Sequence, residues 1–216
     1  PSEATVNRRC GMAKTFFRAA VRHRLIPSNP FQDLDATPKS NASRQRFIAR
    51  ETIDRIMECA PDAEWRLIIA LARYGGLRIP SEALSLKWSD VDFEKERIRV
   101  TAPKTEHHDG RGTREIPIFP ELVGPLRDAF ELADVGTEYV ISRHRPASVV
   151  DKSGNWRHAN LRTQFKNLIC RAGFTPWPKL FQNLRSTRET ELAEDHPLHV
   201  VCAWIGNTER IAAKHY

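Results

Sequence analysis

Apolar residues recur at intervals of three and four along most of the chain, the spacing typical of amphipathic helices. Before the middle of the chain, this pattern predicts helices over residues 6–24, 51–60, 63–74 and 80–88. After Pro120, it predicts helices over residues 120–133, 158–172, 178–194, 197–205 and 208–215. The sequence therefore predicts a mainly helical chain.

Between these two groups of helices, apolar and polar residues alternate instead. In DVDFEKERIRV (residues 90–100), Ile98 and Val100 face one side of a predicted strand, and a charged turn precedes them. REIPIF (114–119) is a further strand candidate. We expect a small antiparallel three-stranded sheet with a loop over 102–113. The fold class is therefore mainly α, of the α+β type.

One stretch is polar and shows no periodic spacing of apolar residues. It reads DATPKSNASRQR and follows the proline-containing LIPSNPF, where the first helix must end. We predict a linker over residues 35–47, which separates a short helical domain, residues 1–34, from a larger domain, residues 48–216.

The balance of charges favours an anionic partner. Lysine and arginine number 34 against 27 acidic residues, which gives a net charge of +7 and a pI near 9.5. Because the basic residues are spread along the chain, they suit an extended polyanion such as DNA, although a basic surface without such a role is the simpler alternative. No stretch has the length and apolar character of a membrane span, and no basic-then-apolar leader opens the chain. We expect a cytoplasmic protein without a membrane partner.

Cysteine and histidine give no sign of a metal site. The histidines His196 and His199 are spaced like two metal ligands, but no third ligand lies near them in the sequence. The four cysteines form no CxxC pair, so we expect free thiols, as in a reducing cytoplasm. They are Cys10, Cys59, Cys170 and Cys202.

Several short motifs follow one another in the larger domain. GGLRIPSEALSLKW places an arginine four residues before a glutamate, and TAPKTEHH places a lysine after the second predicted strand. Further on, QNLR lies within a predicted helix, WIGN follows it, and IAAKHY ends in a tyrosine. The polar residues of these motifs are, in order, Arg78, Glu82, Lys104, Gln182, Arg185, Asn207 and Tyr216.

This ordered set resembles the signature of the tyrosine recombinase (phage integrase) family, over residues 48–216. Residues 7–34 resemble the last helix of the family's core-binding domain, down to the closing NPF. The resemblance implies a site-specific DNA recombinase or integrase that cuts and rejoins strands through a covalent 3′-phosphotyrosine. It also implies double-stranded DNA as partner, a tetramer on paired DNA sites with a monomer as the alternative for the chain alone, and no cofactor.

The chemistry of the residues agrees with that reaction. Opening a phosphodiester places negative charge on its non-bridging oxygens, and Arg78 and Arg185 can hold these bidentately. By the resemblance, Tyr216 attacks the phosphorus and Lys104 protonates the leaving 5′-oxygen. The ordinary pKa of tyrosine is about 10, so nearby cations must favour its ionisation. Glu82 would orient Arg78 without touching the substrate.

Each of these residues also has a plainer interpretation. Arg78 and Arg185 can form ordinary surface ion pairs, Arg78 with Glu82. Tyr216 can pack on the core as a terminal aromatic residue, and Lys104 can be a solvated or phosphate-binding lysine. The rival proton donors near Lys104 are His107 and His108.

The sequence departs from the family at two positions. Gln182 stands where the family has histidine, and Asn207 stands where it has histidine or tryptophan. An amide can donate a hydrogen bond to a phosphate oxygen but cannot exchange a proton near neutral pH. We predict that both residues act as hydrogen-bond donors.

Two other functions stay open on the sequence alone. One is DNA relaxation by a type IB topoisomerase-like enzyme, and the other is DNA binding by a catalytically impaired protein. In each case, phosphate contacts are expected in the basic stretch 142–162, for which a solvated loop is the equal alternative. Its candidate DNA-binding residues are Arg143, Arg145, Lys152, Arg157 and Arg162.

Overall fold

The computed structural model describes residues 2–37, 42–102, 112–145 and 160–208. The chain divides into two compact units, Pro1–Ser43 and Arg44–Tyr216. The helix predicted over 208–215 and most of the loop predicted over 102–113 lie outside the described residues.

In the first unit, a long helix is followed by a segment that folds back along it. Helix α1 (Glu3–Arg22) confirms the first predicted helix. The Asn29 side chain donates to the Lys14 carbonyl at 3.0 Å, and the Phe31 ring packs on Phe17 with ring centroids 4.8 Å apart. The NPF stretch therefore holds the returning segment against α1.

In the second unit, the described residues form six α-helices around one core. Helix α3 is its centre, because it packs against α2, α4 and α6 and buries nine of its residues. Apart from a predicted helix over 80–88, the predicted helices within the described residues are confirmed. Their bounds are α2 (Arg50–Glu58), α3 (Ala63–Arg73), α4 (Pro120–Glu131), α5 (Leu161–Arg171), α6 (Leu180–Asp195) and α7 (Leu198–Ile205).

The predicted antiparallel sheet is confirmed. Its strands are β1 (Val91–Asp92), β2 (Arg97–Thr101) and β3 (Thr113–Pro117), in the order β1-β2-β3. Ile98 and Ile116 are paired across β2 and β3 and are fully buried. Strand β3 also contacts α7, so the sheet reaches the last described helix.

The helix predicted over residues 80–88 is wrong. Irregular turns occupy its first part, where the Glu82 and Leu84 amides donate to the Arg78 and Pro80 carbonyls, both at 2.9 Å. Pro80 has no N–H to donate, and the Glu82 side chain accepts the Arg78 amide at 2.8 Å. The two backbone bonds have helical i to i−4 spacing, but they are isolated and do not continue into a regular helix.

The second part of that segment bonds to a distant extended segment. The Trp88 amide donates to the Glu138 carbonyl, and the Val140 amide donates to the Leu86 carbonyl, both at 3.0 Å. These long-range bonds compete with the helix that the apolar spacing predicts, because tertiary contacts override local preference.

A buried ion pair joins α3 to α6. Arg73 is fully buried and donates to both carboxylate oxygens of Glu191, at 2.8 and 2.5 Å, while its Nε donates to the Ile48 carbonyl at 3.2 Å. Because a buried guanidinium needs such partners, this pair fixes α6 against α3 close to the candidate site.

Two negative findings apply to the described part of the chain. None of its helices combines the length and apolar character needed to cross a membrane. Its side chains also form no group of three or more metal-ligating residues.

The turn after α3 depends on Leu84, which is fully buried in the core. We expect Leu84→Ala to lower the free energy of unfolding by about 2–5 kcal/mol, because the truncation leaves a cavity. Leu132 is 65% exposed, so Leu132→Ala should change the free energy of unfolding by less than about 0.5 kcal/mol. Urea denaturation of both variants measures the difference, and equal effects would contradict this packing.

Candidate active site

Helix α3 ends at a glycine pair that turns the chain toward the site. Gly76 has a left-handed backbone with φ of 63°, and a Cβ at this position would lie 2.5 Å from Cδ1 of Ile205. Only glycine fits there without strain. The Gly76 carbonyl accepts a hydrogen bond from Nη1 of Arg185 at 2.5 Å, so the turn also supplies an acceptor to the site.

Glu82 is a buried carboxylate, 1% exposed, that gathers three arginines. Arg114 donates to both of its oxygens, at 3.0 and 2.7 Å. Arg78 donates its backbone amide at 2.8 Å and also its Nη1. Nη1 of Arg185 lies 3.9 Å from Oε2. The structure therefore brings Arg78, Glu82 and Arg185 together, as the family resemblance implied.

The carboxyl end of α7 binds the same three arginines. Its last carbonyls have no partner inside the helix and carry a partial negative charge. Three successive carbonyls each accept from a different guanidinium group: Trp204 from Arg114 Nε at 2.7 Å, Ile205 from Arg185 Nη2 at 2.5 Å, and Gly206 from Arg78 Nη2 at 2.8 Å. One helix end therefore orients all three guanidinium groups.

The pKa values of the cluster follow from burial and charge. Burial by itself raises the pKa of Glu82, but the hydrogen bonds and charge of Arg114, with the charges of Arg78 and Arg185, hold it below its ordinary value. Burial and the neighbouring Arg78 charge lower the pKa of Arg185 to about 9, although Glu82 opposes this. Arg185 stays protonated at neutral pH, and an anion bound beside it would stabilise its charge.

A second buried carboxylate lies on α6. Glu189 is 5% exposed and accepts a hydrogen bond from Nδ2 of Asn207. The Oδ1 atom of Asn207 is buried and has no hydrogen-bond partner among the described residues. The charge of Glu189 also acts on Arg185. Among the described residues named here, three guanidinium groups therefore stand against two carboxylates, an excess of one positive charge.

Gln182 lies two turns before Glu189 on α6 and is exposed. With Arg46, Ser186 and Glu189 it lines a pocket of about 170 Å³. The pocket is therefore continuous along α6 with the face that carries Glu189.

The structure describes some of the other predicted site residues. Arg143 is exposed in a loop whose Ser142 and Arg143 amides both donate to Glu64, at 2.9 Å for Ser142 and at 3.1 and 2.9 Å for Arg143. The Arg145 guanidinium covers the Tyr139 ring, 3.0 Å from its centroid. Arg162 is exposed on α5. Four predicted site residues lie outside the described residues: Lys104, Lys152, Arg157 and Tyr216.

Two residues of the site, Arg114 and Glu189, were not indicated by the sequence motifs. Arg114 lies on the same face of β3 as the buried Ile116, two residues away. A charged residue on the inward face of a strand indicates that a buried partner exists. Glu189 follows Arg185 by four residues on α6, which is the spacing of neighbours on one helix face.

The chain is similar to known proteins in both sequence and fold. A family model described as the phage integrase family matches residues 46–216. A tyrosine recombinase XerC-like protein of Caldanaerobacter subterraneus subsp. tengcongensis is 27% identical, over 96% of this chain and 60% of its own length. The chain thus spans less than two thirds of that relative.

Solved structures share the fold at low sequence identity. The Tn1549 transposon integrase in complex with a circular intermediate DNA has a TM-score of 0.75 at 18% identity, over 100% of this chain and 75% of that one. A lambda integrase tetramer bound to a Holliday junction has a TM-score of 0.68 at 19% identity, over 95% of this chain and 57% of that one.

The lowered pKa of Glu82 makes its contribution to stability depend on pH. The carboxylate stabilises the fold above its unfolded-state pKa, near 4.5, and this contribution is lost as pH falls through the lower folded-state pKa. We expect wild type to be more stable than Glu82→Gln at neutral pH, and the difference to narrow as the pH falls below about 4. Urea denaturation of both proteins from neutral pH to below pH 4 measures this difference in the free energy of unfolding.

Glu131→Gln, which removes an exposed carboxylate on α4, controls for the loss of one formal charge. A wild-type advantage over Glu82→Gln that grows on acidification would contradict the assignment of Glu82 as an ionised partner of the arginines.

Proposed function

We propose, since the chain belongs to the phage integrase family, that it is a site-specific DNA recombinase or integrase. It would cut and rejoin DNA strands through a covalent 3′-phosphotyrosine. The observation that carries this proposal is the convergence of Arg78 and Arg185 on Glu82 and on the end of α7. The excess positive charge of the cluster matches the single negative charge of a phosphodiester.

The two guanidinium groups would hold the scissile phosphate. In the described part of the chain, Arg78 and Arg185 each commit two of their five N–H groups to protein acceptors. Their side chains are 26% and 12% exposed, so the other N–H groups can reach a bound anion. Pre-oriented donors of this kind stabilise the charge that develops on the phosphoryl oxygens in the transition state.

Tyr216 and Lys104 would carry the covalent chemistry. The Tyr216 hydroxyl loses its proton to water, which the neighbouring cations favour. The phenolate oxygen attacks the phosphorus, a phosphotyrosine bond forms, and the bond to the 5′-oxygen breaks. Lys104 gives that oxygen its proton, with His107 and His108 as rival donors. The phosphotyrosine keeps the bond energy for rejoining, so the proposal needs neither a metal nor a nucleotide cofactor.

Gln182 and Asn207 would assist as hydrogen-bonding groups. Asn207 commits one amide hydrogen to Glu189, which leaves one N–H for a phosphate oxygen. Neither amide can replace a histidine in proton exchange, so the proposal assigns most of the rate to positioning and electrostatics.

Strand exchange requires more than one copy of the chain. We propose double-stranded DNA as partner and a tetramer on paired sites, in a cytoplasmic protein. Residues 1–34 would be the end of a core-binding domain, 35–47 a linker and 48–216 the catalytic domain. The phosphate contacts outside the active site are proposed for Arg143, Arg145, Lys152, Arg157 and Arg162.

A nicked suicide duplex carrying candidate attachment sites tests the covalent step. We expect an SDS-resistant protein–DNA adduct with wild type and none with Tyr216→Phe, because phenylalanine has no oxygen to attack phosphorus. Tyr139→Phe is the matched control, since it removes another tyrosine hydroxyl and should leave the adduct unchanged.

DNA binding to the same duplex and a second assay on supercoiled plasmids carrying paired sites separate the alternatives. DNA binding without any adduct would favour the catalytically impaired protein. Relaxation of supercoiled DNA without joining of paired sites would favour the topoisomerase-like enzyme, and either result would overturn the recombinase.

The guanidinium geometry gives a further prediction. Arg78→Lys and Arg185→Lys each keep the charge but lose the planar fork, so we expect the single-turnover rate of adduct formation to fall about 100- to 1,000-fold. Arg127→Lys, at an exposed position of α4, should leave the rate unchanged. Rapid-quench sampling of adduct formation measures these rates. Wild-type rates in both active-site variants would exclude Arg78 and Arg185 from phosphate binding.

A further inference from the structure

We propose that Arg114 is a positioning residue for this reaction: it fixes the end of α7 against Glu82 and so orients the guanidinium groups of Arg78 and Arg185. This inference rests on the proposed function. Arg114 would touch no DNA, and its effect would reach the substrate through these two arginines.

Arg114 bridges two elements that are distant in the sequence. It extends from β3, where it pairs with Val100 of β2. Its Nη1 and Nη2 donate to the two oxygens of Glu82, at 3.0 and 2.7 Å, and its Nε donates to the Trp204 carbonyl at 2.7 Å. A lysine has a single nitrogen in place of this fork and cannot reproduce the three bonds together.

The donors of Arg114 are directed into the protein. All three of its nitrogens donate to protein acceptors, whereas Arg78 and Arg185 each use two. Its side chain is 9% exposed, compared with 26% for Arg78 and 12% for Arg185. Arg78 therefore has donors and exposure for a substrate, whereas Arg114 is committed to Glu82 and Trp204.

The contact with Gly206 extends the effect of Arg114 to the end of α7. Gly206 ends the helix in a left-handed conformation with φ of 74°, and a Cβ there would lie 3.0 Å from Cδ of Arg114. The arginine side chain therefore packs directly on the residue whose carbonyl accepts from Arg78. Loss of Arg114 would free the helix end, and with it two acceptors that orient Arg78 and Arg185.

The test compares cleavage with DNA binding in the full chain. For Arg114→Lys and Arg114→Met, we expect the rate of adduct formation at saturating duplex to fall about 10- to 100-fold, the effect typical of lost supporting contacts. The protein concentration for half-maximal DNA binding and its salt dependence should stay within about twofold, because no phosphate contact is lost. Arg127→Met, which removes an exposed arginine, is the matched control.

Folding needs a separate variant, because removing Arg114 weakens the compensation of a buried carboxylate. The double variant Arg114→Met/Glu82→Gln removes both partners. Because Glu82 also binds Arg78, this variant should cleave no faster than the Arg114 single variants while folded. Thermal unfolding of each variant establishes the folded fraction at the assay temperature.

Three results would overturn the inference while wild type still forms the adduct. They are a wild-type cleavage rate in a folded Arg114 variant, a loss of rate that only follows the unfolded fraction, and a loss of affinity and salt dependence as large as the loss of rate. Absence of the adduct in wild type would instead overturn the proposed function.

Discussion

A buried carboxylate holds the centre of this site together. Glu82 is almost fully removed from water, where a lone negative charge would be unstable, and three guanidinium groups compensate it. The compensation also works in the other direction, since three cations placed side by side would repel one another without it. Glu82 and its arginine partners therefore stabilise one another in the positions that the structure shows.

The helix end adds direction to that balance of charge. Coulomb attraction alone would let a guanidinium group rotate, but each of the three also donates to a carbonyl of α7. Carbonyl acceptors have a preferred direction, so the turn at Trp204, Ile205 and Gly206 sets where the uncommitted N–H groups point. The sequence motif that contains Gly206 is thus a structural part of the arginine site, because its backbone supplies the acceptors.

Periodicity predicted the helices and the sheet because those depend on neighbours in the chain. Periodicity did not predict the turn at 80–88, because hydrogen bonds to the distant Glu138 and Val140 decide the conformation of that segment. The meeting of Arg78 with Arg185 followed from the family resemblance. The role of Arg114 did not, because nothing in a strand's alternation tells which distant carboxylate an inward arginine will meet.

Gln182 and Asn207 are amides at positions where the family has histidine, or tryptophan in the case of Asn207. They show that charge stabilisation and proton transfer are separate requirements of such a site. Charge stabilisation needs fixed cations, and the arginine cluster supplies these. Proton movement needs groups that gain and lose a proton, which Gln182 and Asn207 cannot do. In this chain Asn207 is held instead by the carboxylate of Glu189, and its buried Oδ1 is an acceptor. Glu189 therefore fixes the amide of Asn207, and in the proposed site the second N–H of this amide is the group that donates to a phosphate oxygen.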